Sequence, residues 1–161
     1  MRNIYDYTLG ELEDYFVSIG DVGYRKLWFD RIRERRLNII NIIDSSAIIS
    51  ASAKMGIGNF VGKMAVINAD AEIGNNNVIN TKALIEHECK VGDHNHLSTN
   101  SVINGNVIVG NSVFLGSSSV CNGQLKIGSN AIIGSGSVII KDIPEKVTVV
   151  GVPARVIKRR D

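Results

Sequence analysis

The sequence predicts an all-β protein, a three-sided coil of short parallel strands, and three observations lead there. Read in sixes from Ala47, the chain runs through sixteen hexads to Asp142 without an insertion. The third residue of every hexad is Ile, Leu, Val, Met or Cys. A slower period lies beneath the first: Gly56, Gly74, Gly92, Gly110 and Gly128 recur every 18 residues.

Each hexad then supplies one short strand that sends one large side chain into a shared interior, because alternate strand residues point to opposite faces. The first residue of the hexad is usually small. The fourth is Gly, Asn or Ser in fourteen hexads, Glu86 and Ile140 being the exceptions. Those residue types accept tight corners and positive φ, so the corners are expected there. Three sixes per 18 residues describe a triangular prism of a little over five coils. At the strand spacing of about 4.8 Å per coil it is roughly 25 Å long.

The flanks lack the repeat. Residues 15–20, "YFVSIG", read as a strand ending in a turn. Residues 22 to about 36 place Tyr24, Leu27, Trp28 and Ile32 on one helical face, with basic residues elsewhere. Residues 37–44, "LNIINIID", form an extended lead-in. After the prism come both prolines, a short strand and a basic tail with Lys158, Arg159 and Arg160, read as a solvated end. The organisation expected is a strand-helix appendage at 1–44, the coil at 45–143, and a strand with a basic tail at 144–161.

Composition narrows the class. The chain has 161 residues, 44% hydrophobic and 21% charged, the balance of a soluble globular protein. No run approaches the roughly 18 apolar residues of a membrane span, and the acidic, polar N-terminus does not read as a signal peptide. Cys89 and Cys121 lie far apart, which argues for core fillers and a reducing cytoplasm rather than a disulfide framework. A net charge of +2 does not argue for nucleic acid.

All three histidines fall within ten residues, in "LIEHECKVGDHNHLST". Glu86, His87 and Glu88 fill positions four to six of one hexad and so belong to a corner. A local rule broken inside a strict repeat marks a candidate site. One and two coils on from His87 stand Gly105 and Gly123, whose bare backbone leaves room and open N–H groups. A general base beside an accessible amide is what acyl transfer needs. His94 reads as a solvated corner residue. His96 is nearly half a coil from His87, so the two would meet only across an interface between copies.

"NTKALIEHECKVGDHNHLSTNSVINGNVIVGNSVFLGSSSV", followed by "VVGVPAR", resembles the hexapeptide-repeat sugar acetyltransferases, the group of sialic acid O-acetyltransferases and UDP-4-amino-sugar N-acetyltransferases. The resemblance covers about residues 15–158 and implies a left-handed parallel β-helix, against the usual right-handed crossover. It also implies acetyl-CoA as acetyl donor, a homotrimer with the coenzyme between adjacent prisms, and no metal. It makes His87 the general base and Glu88 the residue that raises its basicity. His96, Gly105, Ser117 and Ser135 become coenzyme contacts, with the Gly105 N–H facing the thioester oxygen. Gly20 and Lys26 match nucleotide-sugar contacts of the family's N-terminal domain, whose glycine-rich first loop has no counterpart here.

The reaction implied is direct transfer from acetyl-CoA to a sugar amine or hydroxyl in bacterial glycan biosynthesis, with nitrogen and oxygen both open as acceptor atom. Two other classes compete. A non-catalytic scaffold would bind no acetyl-CoA. A zinc carbonic-anhydrase-like enzyme would need its three histidines at other spacings than seven and two.

Overall fold

The computed structural model describes residues 14–160, so the first 13 residues, including those read as excluding a signal peptide, lie outside it. From Ile42 onward the chain winds as a three-sided parallel coil whose rungs pair 18 residues apart, as in Leu84 with Val102 and Lys90 with Ile108. One face stacks the strands at 48–49, 66–67, 84–85, 102–103, 120–121 and 138–139, and is named here the Leu84 face. The Lys90 face stacks those at 54–55, 72–73, 90–91, 108–109 and 126–127. The His96 face runs from Ile42–Ile43 through His96–Leu97 to Val147–Val150, where Arg155–Arg159 adds an antiparallel edge. The lead-in is thus itself a first rung, since Ile42 pairs with Phe60. The basic tail is exposed, as a solvated end should be, and residues 155–159 of it pair as a strand.

Third-position residues fill the interior. Ile67, Ile79, Ile85, Leu97, Ile103, Leu115, Ile133 and Ile139 are all buried, each worth about 1.5–3 kcal/mol of transfer from water. Cys89 and Cys121 are buried among them. Burial pushes the Cys121 thiol up to about 12 and raises Cys89 as well, so neither is a ready nucleophile.

The corners correct one expectation. Positive φ falls at the sixth hexad position, not the fourth, at every such residue from Gly58 to Gly136. The fourth position is small for another reason, close approach between coils. A Cβ on Gly74 would stand 2.7 Å from the Gly92 carbonyl oxygen. Inside the corner between the Lys90 and His96 faces, Asn41, Asn59, Asn77 and Asn95 form a ladder. Each side-chain oxygen accepts from the backbone N–H one coil on, at 2.7–2.8 Å.

The appendage begins with β1 (Asp14–Tyr15), paired in parallel with β2 (Asn38–Ile39), and α1 (Val22–Glu34) lies between them. The strand ends at Tyr15 instead of running to residue 20, and the Ile19 and Gly20 carbonyls accept from Arg25 Nη1, at 3.2 and 2.9 Å. Asp21 caps the helix by accepting from the Tyr24 N–H at 2.9 Å. Its buried face is Arg25, Phe29 and Ile32, while Tyr24 and Leu27 are exposed. The apolar stripe read from the sequence was therefore rotated, because an arginine holds one of the buried positions.

Candidate functional site

The corner between the Leu84 and Lys90 faces carries Glu86, His87 and Glu88, with Gly105 and Asn106 directly on the next coil. The stacking expected between residues 87 and 105 holds. A Cβ on Gly105 would stand 2.5 Å from His87 Cε1 and Nε2, so the imidazole lies over bare backbone that only glycine leaves free. His87 Nδ1 is 3.1 Å from Glu88 Oε2. Against an ionised carboxylate Nδ1 carries the proton, which leaves the Nε2 lone pair available. The hydrogen bond from His87, and then that from Asn106, hold the Glu88 carboxyl below the usual range. Glu86 bonds the other way, its Oε2 accepting from the His87 N–H at 3.3 Å.

Backbone N–H groups separate this corner from its neighbour. Between the Lys90 and His96 faces, the fifth-position N–H groups of Asn75, Asp93 and Asn111 donate to the side chains of Asp93, Asn111 and Ser129 one coil on, at 2.6–3.0 Å. Gly105 would need such a cap from residue 123, which is glycine. Among the described residues its N–H has no acceptor. The same holds for Ser117 and Ser135 at the third corner, and there, as at the other two corners, each coil is tied to the next through a backbone carbonyl, as in Gly136 N–H to Ser117 O at 2.9 Å.

The remaining candidates lie elsewhere on the chain. His96 is half-buried on the face opposite the His87 corner, its ring 5.2 Å from that of Phe114. Burial and then the Arg25 charge lower its pKa, while contact with the Gly20 backbone pulls the other way. Gly20 thus sits against His96. Lys26 pairs on the helix surface with Asp30. One chain brings together His87, Glu88 and Gly105, and places Gly20 with His96 on another side. Ser117 and Ser135 stack at a third location.

His94 is not a solvated corner residue but buried, because α1 covers its corner. Its ring meets Phe29 edge-on at 5.6 Å, and its Nδ1 accepts from Asn76 Nδ2 at 2.8 Å. Burial and then Lys26 lower its pKa. The three histidines therefore do not converge, and no group of three His, Cys, Asp or Glu residues is placed to hold a metal ion among the described residues.

Two residues were missed in the sequence. Arg25, fully buried, reaches across the seam with Nη2 and Nε to the carbonyls of His94, Asn95 and Asn76 at 3.1–3.3 Å. Only its polarity was visible beforehand. Asn106 stands one coil above Glu88, at 88 plus 18, a signal the repeat did offer.

No protein-family model and no curated protein matches the sequence. Solved structures do. A variant of perosamine N-acetyltransferase from Caulobacter crescentus, in complex with CoA and GDP-perosamine, is 35% identical with a TM-score of 0.90, over 92% of this chain and 70% of that one. The acetyltransferase domain of PglB from Neisseria gonorrhoeae, in complex with acetyl coenzyme A, is 28% identical with a TM-score of 0.88, over 89% and 70%. WeeI from Acinetobacter baumannii shares the fold, with a TM-score of 0.85 at 23% identity.

Proposed function

The chain belongs to the hexapeptide-repeat sugar acetyltransferases, and from that premise we propose that it moves an acetyl group from acetyl-CoA to an amine of a nucleotide-linked sugar, with His87 as general base. The observation that carries this reading is the imidazole lying over Gly105, whose N–H is open. The amine attacks the acetyl carbonyl and gives its proton to His87 Nε2. The tetrahedral oxyanion accepts a hydrogen bond from the Gly105 N–H, then collapses with departure of the coenzyme A thiolate. Glu88 keeps the imidazole oriented and stabilises its charged form, and general-base assistance of this kind is worth about 10² to 10⁴ in rate. An amine is favoured over a hydroxyl because the most identical of the structures reported above is that of an N-acetyltransferase.

The active assembly in this reading is a homotrimer in the cytoplasm, and the faces of the prism support the trimer. Outward residues of the Leu84 face are Ile48, Val66, Leu84, Val102, Val120 and Val138, and those of the His96 face include Ile42, Phe60, Val78, Phe114 and Ile132. The Lys90 face presents Lys54, Glu72, Lys90 and Lys126 to solvent. Two apolar faces suit two neighbours. Packing the Leu84 face of one copy against the His96 face of the next would set His87 beside a second copy's His96, Gly20 and Lys26. Ser117 and Ser135, with open N–H groups, line the corner between those two faces, a full face of the prism away from His87 on the same chain.

The test is turnover by the wild type of acetyl-CoA, followed by thiol release, with GDP-perosamine, UDP-linked 4-amino sugars and sialic acids as acceptors. Thiol release that requires one nucleotide-linked amino sugar is expected. Absence of release with every acceptor would favour a scaffold, and release with sialic acid alone would move the acceptor atom to oxygen.

A further inference from the structure

Glu88 Oε2 is shared. It receives His87 Nδ1 at 3.1 Å from one side and Asn106 Nδ2 at 3.1 Å from the other. Asn106 also donates its backbone N–H to the His87 carbonyl at 3.0 Å. One residue of the next coil therefore grips both members of the pair, His87 through its main chain and Glu88 through its carboxylate.

The grip answers a physical need. Glu88 is exposed, with three rotatable bonds, and an exposed ion pair by itself contributes little and holds no fixed geometry. A second, directional donor on the same oxygen limits where the carboxylate can stand, and through it where the imidazole points. Glu88 and Asn106 both occupy left-handed sixth positions, at φ +58° and +60°. Their side chains accordingly leave the corner in parallel, one coil apart. The tripeptide Gly105–Asn106–Val107 then divides its work: Gly105 makes room for the ring, Asn106 aims the carboxylate, and Val107 is buried in the core.

We propose that Asn106 is the positioning residue of the His87–Glu88 pair, acting on the reaction through Glu88 and touching neither donor nor acceptor. This rests on the reading of His87 as general base.

Asn106→Gly and Asn106→Asp test it. Both replacements tolerate the left-handed backbone, so a role confined to the turn predicts near wild-type enzymes. Asp keeps the shape of Asn but cannot donate to an ionised Glu88. With acetyl-CoA and GDP-perosamine, each variant is expected to lower kcat about ten- to a hundredfold, with KM for acetyl-CoA unchanged. Neither is expected to lower it further in a Glu88→Ala background. Wild-type kcat in both variants, or a loss that persists undiminished beside Glu88→Ala, would overturn the proposal. If one variant fails to fold, the other decides. His87→Ala run alongside separates the two claims. Full activity there sinks the general base itself, whereas a loss there with active Asn106 variants sinks only Asn106.

Discussion

His87 and His94 stand on neighbouring corners of one prism, seven residues apart, and their surroundings differ in kind. At the His94 corner the Asn41–Asn95 ladder fills the inside, a second ladder of Asn75, Asp93, Asn111 and Ser129 caps the outside, and α1 packs over His94 itself. At the His87 corner Gly105 and Gly123 stand in place of the outer ladder with their N–H groups open, and the ring stands over bare backbone. The same repeat thus builds one corner for cohesion and one for chemistry. The difference lies in a few side chains at stacked positions, since the backbone pairing is alike in both.

Substitutions that exchange the two characters should separate stability from turnover. The largest effect is expected from Arg25→Met, which leaves the carbonyls of Asn76, His94 and Asn95 without their buried donor. A loss of roughly 3 kcal/mol or more is expected in urea unfolding, since each buried acceptor left unpaired costs about 1–3 kcal/mol. Gly105→Ala comes next. Its Cβ would displace the His87 ring, and turnover should fall about a hundredfold, since misplacing a catalytic group by about 1 Å is enough for that. Its unfolding midpoint should barely move. Gly92→Ala is the control on the other corner. Its Cβ would meet the Gly110 carbonyl at 2.8 Å, so a stability loss of about 1–3 kcal/mol is expected, with turnover per folded molecule intact.

The smallest effect concerns pH. His94 and His96 have folded pKa values below the ordinary 6.5. Below pH 6.5 the unfolded chain therefore binds protons that the folded chain refuses, and stability falls as pH drops until the folded values are reached. Melting temperatures measured from pH 8 to pH 5 should decline in the acid range. The decline should flatten in His94→Asn, a replacement that accepts the left-handed backbone at residue 94.

Much of this contrast could be read from the sequence. Sixteen hexads in one register placed 87, 105 and 123 on stacked corners, because every side-chain direction in a strict coil follows from the count. The burial of His94 could not be read the same way. A register tells which corner a side chain occupies, not which appendage docks over it. The docking residue is an arginine, and hydropathy patterns score arginine as solvent-facing, so Tyr24 and Leu27 were assigned to the buried face in place of Arg25 and Phe29. The left-handed turns were placed two residues early. Glycine at the fourth position reads as backbone freedom, whereas in this coil it serves contact between coils. The Asn106 contact needed only one further step of 18, but a hydrogen bond between exposed side chains leaves no trace in apolar periodicity.

The central claim is that the imidazole of residue 87, and not that of residue 94, does the chemistry. His87→Ala, assayed by thiol release from acetyl-CoA with GDP-perosamine beside the wild type, tests it most directly. Turnover is expected to fall at least a hundredfold, within the range for removing a general base, while the unfolding midpoint stays at the wild-type value. Turnover equal to that of the wild type would contradict the account.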